Sequence, residues 1–163
     1  VKTLIVYYSL NGNCDYVARR LAEQISADLE ALRPEEEPPK SGGMMYAKGG
    51  WSALTHRTPK LAALSRDLLA YDTVIIGAPV WAGTYPPAVG SFLKQTVFKA
   101  PHLYLFACSS SGNSEKMLKQ LGKKVGTVSA SASFKDPLKH QDQENAAIDA
   151  FAQTILKDGS IKL

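Results

Sequence analysis

The residues best suited to chemistry lie in one short stretch, Ser9-Leu-Asn-Gly-Asn-Cys14. Ser9, Asn11 and Asn13 carry side-chain hydrogen-bond donors, and Gly12 lets the backbone come close to a ligand. From Cys14 onward the apolar residues Val17, Leu21 and Ile25 recur on one face of a helix. The stretch therefore opens a helix whose first N–H groups lack internal partners and whose end attracts negative charge. This predicts a cradle for an anion, most simply a phosphate; the alternative is a plain strand-to-helix turn with a polar cap. The spacing is neither Gly-x-Gly-x-x-Gly nor Gly-x-x-x-x-Gly-Lys-Ser/Thr, so neither a dinucleotide fingerprint nor a P-loop is present.

Two further stretches share its character. Pro79-Val-Trp-Ala-Gly-Thr-Tyr-Pro-Pro87 is rich in turn-formers and rings, and Ser109-Ser-Ser-Gly-Asn113 is small and polar. No side chain among them is an evident acid, base or nucleophile, so no catalytic residue is assigned. Cys14 and Arg20 fit the Cys-x5-Arg spacing of a phosphatase, with Asp136-Pro137 as an imagined acid loop. Residues 15–19 contain no glycine, however, and Val17 belongs to the helical stripe, which places Arg20 away from any phosphate cup. At a helix N-terminus an exposed Cys14 thiol would have a lowered pKa. A Cys14–Cys108 disulfide is disfavoured, because strands two places apart are about 9–10 Å from one another and a bridge needs Cα atoms within about 7 Å. His56, His102 and His140 have no metal-ligand spacing.

These loops need elements to hold them. Residues 2–8, 72–78 and 102–108 are apolar runs of the kind buried on both faces of a sheet. A weaker strand is expected at 27–32 and an alternating edge-like one at 124–133. Helices are expected at 13–27, 59–70 (from Leu61, Leu64, Leu68 and Leu69), 87–95, 114–122 and 142–157. Alternation of strand and helix implies right-handed crossovers and a parallel sheet covered on both faces, an α/β three-layer, doubly wound sandwich. Ligands of such sheets bind beyond the carboxyl ends of the strands, where all three loops fall. Residues 33–58 read as a long loop, with prolines, three glutamates, paired glycines and soft apolar residues.

The chain has 163 residues, 45% of them hydrophobic and 21% charged, which suits one domain, 1–163. No apolar run is long enough to span a bilayer, and the first residues enter a strand without signal-peptide layout. With only two cysteines, the expected home is a reducing cytoplasm. The net charge of +4 is spread over scattered lysines with no nucleic-acid motif, which favours a solvated basic face over nucleic-acid binding.

With these residues in place the chain resembles the flavodoxin-like FMN-binding family over nearly its whole length. Ser9-Leu-Asn-Gly-Asn-Cys14 is similar to the flavodoxin phosphate loop, Ser/Thr-x-Thr-Gly-Asn-Thr. Pro79 to Pro87 resembles the loop that cups the isoalloxazine ring, and Ser109 to Asn113 the loop that lines its pyrimidine end. Gly43-Met-Met-Tyr-Ala-Lys-Gly-Gly-Trp-Ser-Ala-Leu54 is similar to a stretch of short flavodoxin-domain proteins. The resemblance implies a flavodoxin-like fold with a five-stranded parallel sheet in the order 2-1-3-4-5. It also implies one FMN held by Ser9, Asn11, Gly12, Asn13 and Cys14 at the phosphate. Pro79, Val80, Trp81, Ala82, Gly83 and Tyr85 would lie at the ring, with Trp81 and Tyr85 flanking it. Ser109, Ser110, Ser111 and Gly112 would lie along its far end. Asn11 and Cys14 stand where the pattern has Thr, which removes two hydroxyl donors and implies a weaker phosphate grip.

The implied function is electron transfer or oxidoreduction, with a redox partner protein or a small-molecule acceptor. Two alternatives stay open: an FMN-dependent NAD(P)H:quinone-type reductase, and a flavin-free interaction module on the same fold. A receiver domain is excluded, since Ser9 and Gly77-Ala78-Pro79 stand where it needs carboxylates. The 42–54 segment is an expected lid or homodimer contact.

Overall fold

The computed structural model describes residues 1–37 and 58–160. Five parallel strands form one sheet in the order β2-β1-β3-β4-β5. They are β1 (Thr3–Tyr7), β2 (Asp28–Ala31), β3 (Thr73–Pro79), β4 (His102–Ser109) and β5 (Ala130–Lys135). Among the described residues four α-helices flank them: α1 (Asn13–Ile25), α2 (Pro87–Gln95), α3 (Glu115–Val125) and α4 (Gln141–Ser160). The central strands are the apolar runs of the sequence, and β1 is buried at every residue. Two core clusters sandwich the sheet. On one face Leu4, Val6, Val74 and Leu105 meet Phe92 of α2 and Leu121 of α3. On the other, Ile5, Ile75 and Phe106 meet Val17 of α1 and Phe151 of α4.

Two expected elements differ. Residues 58–67 are not helical. They run extended, bridging Pro34 to Leu61, with the Glu35 N–H donating to the Lys60 carbonyl at 2.8 Å and the Ala62 N–H to the Arg33 carbonyl at 2.8 Å. The buried Glu30 carboxylate accepts from both the N–H and the hydroxyl of Ser65. Leu61, Leu64 and Leu68 still pack on the core, but from an extended chain that ends in a single 3-10 turn, Leu68–Ala70. Partners supplied by β2 and its following loop thus outweigh a weak helical preference. The last strand also starts later than expected. Lys123 and Lys124 complete α3, where cations suit the helix C-terminus, and Gly126 at φ +109° ends it. The expected long loop and the 42–54 segment fall mostly on residues 38–57, outside the described residues.

β1 and β3 are adjacent, and the chain turns outward from them to opposite edges of the sheet. At their carboxyl ends the ladder runs on by one residue, from the Tyr8 N–H to the Gly77 carbonyl and from the Val80 N–H to the Cys108 carbonyl. The three polar loops begin there, side by side.

Candidate functional site

Loop 9–13 is anchored by Leu10, which is buried in the core, while Asn11 beside it is exposed. Gly12, the N-cap of α1, sits at φ +93° and, having no side chain, gives the helix no side-chain cap. The first N–H groups of α1 therefore point out of the loop without a side-chain acceptor. Ser9 Oγ is buried and has no hydrogen-bond partner among the described residues. A buried orphan hydroxyl costs roughly 1–3 kcal/mol unless a ligand completes it. This donor set, hydroxyl plus helix N-terminus, fits a phosphate monoester. A cleft of about 680 Å³ adjoins it, lined by Tyr7, Ser9, Asn11, Gly12 and Asp15 and, from beyond β2, by Arg33 and Glu37, with the Asp15 carboxylate held by Arg19.

Not every residue of the stretch faces that cleft. Asn13 Oδ1 accepts from the Leu138 N–H at 3.0 Å, so its carbonyl braces the 136–140 turn and leaves its amide N–H groups as donors. The Cys14 side chain is 1% exposed and lies in the core, where burial and the neighbouring Cys108 thiol push its pKa well up. The lowered pKa of an exposed thiol does not arise. Cys14 can offer the loop only its backbone N–H. Cys14 lies on α1 and not at the end of a strand, and its thiol meets that of Cys108. Both are free. Asp15 accepts from the Tyr7 hydroxyl at 2.5 Å and from Arg19 Nε at 2.8 Å. Burial and this carboxylate raise the Tyr7 pKa to about 12.

The second loop forms a tight turn. The Trp81 and Thr84 backbones exchange both hydrogen bonds at 2.8 and 3.0 Å, and Ala82 and Gly83 between them have φ of 48° and 78°. Positive φ at both central residues is the type I′ pattern. The turn is carried on a buried ring: Trp81 is 7% exposed and meets Tyr8 edge-on, centroids 5.6 Å apart. Trp81 is thus part of the core, while Tyr85 is half-buried, with its ring edge against Gly90 of α2. Pro79 and Val80 are half-buried at the end of β3.

The third loop is stitched by hydroxyls. Ser133 Oγ of β5 lies 3.0 Å from the Gly112 carbonyl and 2.8 Å from Ser114 Oγ, and the Asn113 N–H donates to Ser111 Oγ. Ser110 and Ser111 are exposed, and Ser109 and Gly112 half-buried.

All fifteen expected residues therefore lie at the carboxyl ends of β1, β3 and β4, on the three loops or in the element residues that adjoin them, with the Trp81 and Cys14 side chains turned into the core. The phosphatase arrangement is absent, since Arg20 makes two 2.9 Å hydrogen bonds to Asp149 of α4 and Cys14 is buried. Among the described residues no three potential ligands gather as a metal site, and no helix is long and apolar enough to cross a membrane. Sequence reasoning missed Arg33 and the 136–140 turn, whose Leu138 approaches Gly12. Their partners are far along the chain, and no local pattern marks them.

The orphan hydroxyl yields a sharp expectation. Ser9→Ala should weaken FMN binding by about tenfold, the value of one hydrogen bond to a charged group. It should leave the flavin-free protein as stable as before or more so, because a buried unpaired polar atom is removed. Fluorescence titration and urea unfolding check the two halves. A large loss of stability would mean that Ser9 Oγ has a structural partner instead.

A family model described as Flavodoxin matches residues 2–136. Over 97 residues the chain is 32% identical to an NAD(P)H dehydrogenase (quinone) of Acidovorax ebreus, a match covering 58% of this chain and 46% of that protein. A flavoprotein of Lactobacillus acidophilus solved in complex with FMN superposes with a TM-score of 0.64 at 22% identity, covering 86% of this chain and 97% of the other. Oxidised Flavodoxin 2 of Bacillus cereus gives 0.59 at 16% identity over 97% and 99%.

Proposed function

Because the chain belongs to the flavodoxin family, we propose that it binds one FMN non-covalently and acts in electron transfer or oxidoreduction. One observation carries this reading: the buried, unpartnered Ser9 Oγ beside the uncapped N-terminus of α1. FMN supplies reversible electron chemistry at its ring. The chain's own residues would bind and shield it. Ser9, the Asn11 and Asn13 amides and the backbone N–H groups of Gly12 to Cys14 would hold the phosphate. Arg33 in the same cleft would offset its charge across water. Residues 79–83 with Tyr85, and residues 109–112, would enclose the ring, with Trp81 as the floor that fixes the turn. The two free buried thiols are consistent with a reducing cytoplasm.

The test is a titration of the flavin-free protein with FMN, followed by quenching of flavin fluorescence. We expect saturation with one FMN per chain at micromolar or lower Kd. A folded protein that leaves flavin fluorescence unchanged at that concentration would overturn the reading in favour of a flavin-free interaction module. A second reading, quinone reduction by NAD(P)H, is favoured by the identity shared with the Acidovorax protein. Steady NADPH oxidation that depends on added quinone distinguishes it from one-electron carriage.

A further inference from the structure

We propose that the lysine face formed by α3 and the end of β5 is the docking surface for an acidic electron-transfer protein. The proposal rests on the FMN reading only for its redox purpose; the surface is defined by its lysines.

Residues 115–139 carry six lysines and two carboxylates, an excess equal to the +4 of the entire chain. Both carboxylates are engaged within the segment: Glu115 with Lys119 at 2.8 Å and Asp136 with Lys139 at 3.9 Å. Among the described ion pairs none involves Lys116, Lys123, Lys124 or Lys135, and all four are exposed. The charge is placed against the candidate ring loops. A side chain added at Gly83 would meet Lys116 Cδ and Nζ at 3.9 Å, and one added at Gly112 would meet Lys135 Cβ at 3.4 Å. One ammonium stem thus stands beside each of the two loops.

Beside α3 the surface is concave. α3 packs on β4 and leaves Ser131 and Ser133 of the edge strand exposed. The resulting groove, about 700 Å³, is lined by Leu118, Gly122, Val128, Ser131 and the Glu115–Lys119 pair, and the four unpaired lysines stand outside it. Lys116 and Lys124 are separated by about 12 Å along the helix axis, and Lys135 lies on another element. A small anion cannot engage all of them, whereas carboxylates spread over a protein surface can. Opposite charge steers such partners into register and speeds their encounter. In the complex one electron would leave the partner's reduced iron–sulfur cluster, oxidising it, and enter the flavin.

The test uses a plant-type [2Fe–2S] ferredoxin as the acidic probe and cytochrome c as the basic one. Binding is measured by calorimetry on both the flavin-free and the FMN-loaded protein, and bound FMN is measured on the same samples. Failure of the cofactor reading then registers as absent FMN, and failure of the docking reading as absent ferredoxin binding. We expect ferredoxin to bind at about 20 mM ionic strength and at least about tenfold more weakly at about 300 mM. Lys123→Glu/Lys124→Glu should weaken it about tenfold with FMN binding intact, and Lys116→Glu/Lys135→Glu by at least as much. Lys60→Glu/Lys157→Glu, an equal charge change elsewhere, should alter it less than about threefold, as only long-range steering is lost. Equal weakening by all three pairs, salt-independent binding, or equal affinity for cytochrome c would overturn the proposal. Tighter binding of a single-stranded oligonucleotide or of phosphatidylserine vesicles would overturn it as well.

Discussion

Gly77→Ala is expected to remove about 3–5 kcal/mol of stability, the scale set by losing a buried phenylalanine's packing. Gly77 and Phe106 are direct partners on β3 and β4, and the Phe106 ring lies across the glycine. A Cβ there would stand 2.0 Å from Cζ and 2.3 Å from Cε1. The ring is fully buried against Phe134, centroids 6.2 Å apart, so it has no vacant direction in which to swing. Against a typical total of about 5–15 kcal/mol, such a loss leaves a marginal protein. Urea unfolding of the flavin-free chain measures it. Adding Phe106→Leu to Gly77→Ala should recover part of the loss, because the smaller side chain vacates the space. A cost under about 1 kcal/mol would show that the ring can move at little expense.

The second large effect is on binding. Gly12→Ala should lower FMN affinity by at least about a hundredfold, or about 2.7 kcal/mol, while costing the flavin-free protein about 1–2 kcal/mol for a left-handed residue with a side chain. The new methyl group would lie 3.2 Å from Leu138 Cδ1 and would put a side chain on a residue at φ +93°, shifting the backbone that presents the first N–H groups of α1. Titration and unfolding separate the two quantities. Wild-type affinity in a folded variant would move the phosphate site away from this loop. Leu138→Ala in the same chain should relieve the contact without restoring affinity, since the strained φ persists.

How much of this could be read in advance varies with the origin of each feature. The three central strands are continuous apolar runs because both faces of β1, β3 and β4 are covered, and such runs are plain in one dimension. The loops that follow them were plain too, since glycine and small polar residues at the ends of buried strands leave few other conformations. The 59–70 leucines misled because helical spacing and one-sided packing of an extended chain give the same pattern over so short a length. What decides between them is the Glu30 carboxylate, 35 residues away from Ser65. The meeting of the Cys14 and Cys108 thiols was hidden for a related reason, since it depends on how the helix carrying Cys14 crosses above the sheet. Trp81 looked like a ring for stacking on a ligand, and in the fold it meets Tyr8, just past the end of β1 and far back along the chain. Lys116 and Lys135 look like any other surface lysines until the fold brings them against two glycine turns.

The ties between α1 and α4 bear on the order of events during synthesis. Arg20 and Gln24 reach Asp149, and Tyr16 reaches Asn145, across 125 to 129 residues of chain. On a ribosome, α1 is complete long before its partner exists. Val17 and Leu21 can settle on β1 and β3, but Arg20 has no carboxylate until the final helix emerges. Ile148, Phe151 and Ile155, which close that face of the sheet, arrive only after all five strands. A nascent chain therefore carries one finished layer and one half-covered layer until α4 emerges, and the open part, beside Phe106 and Phe134, is the surface that a chaperone would recognise.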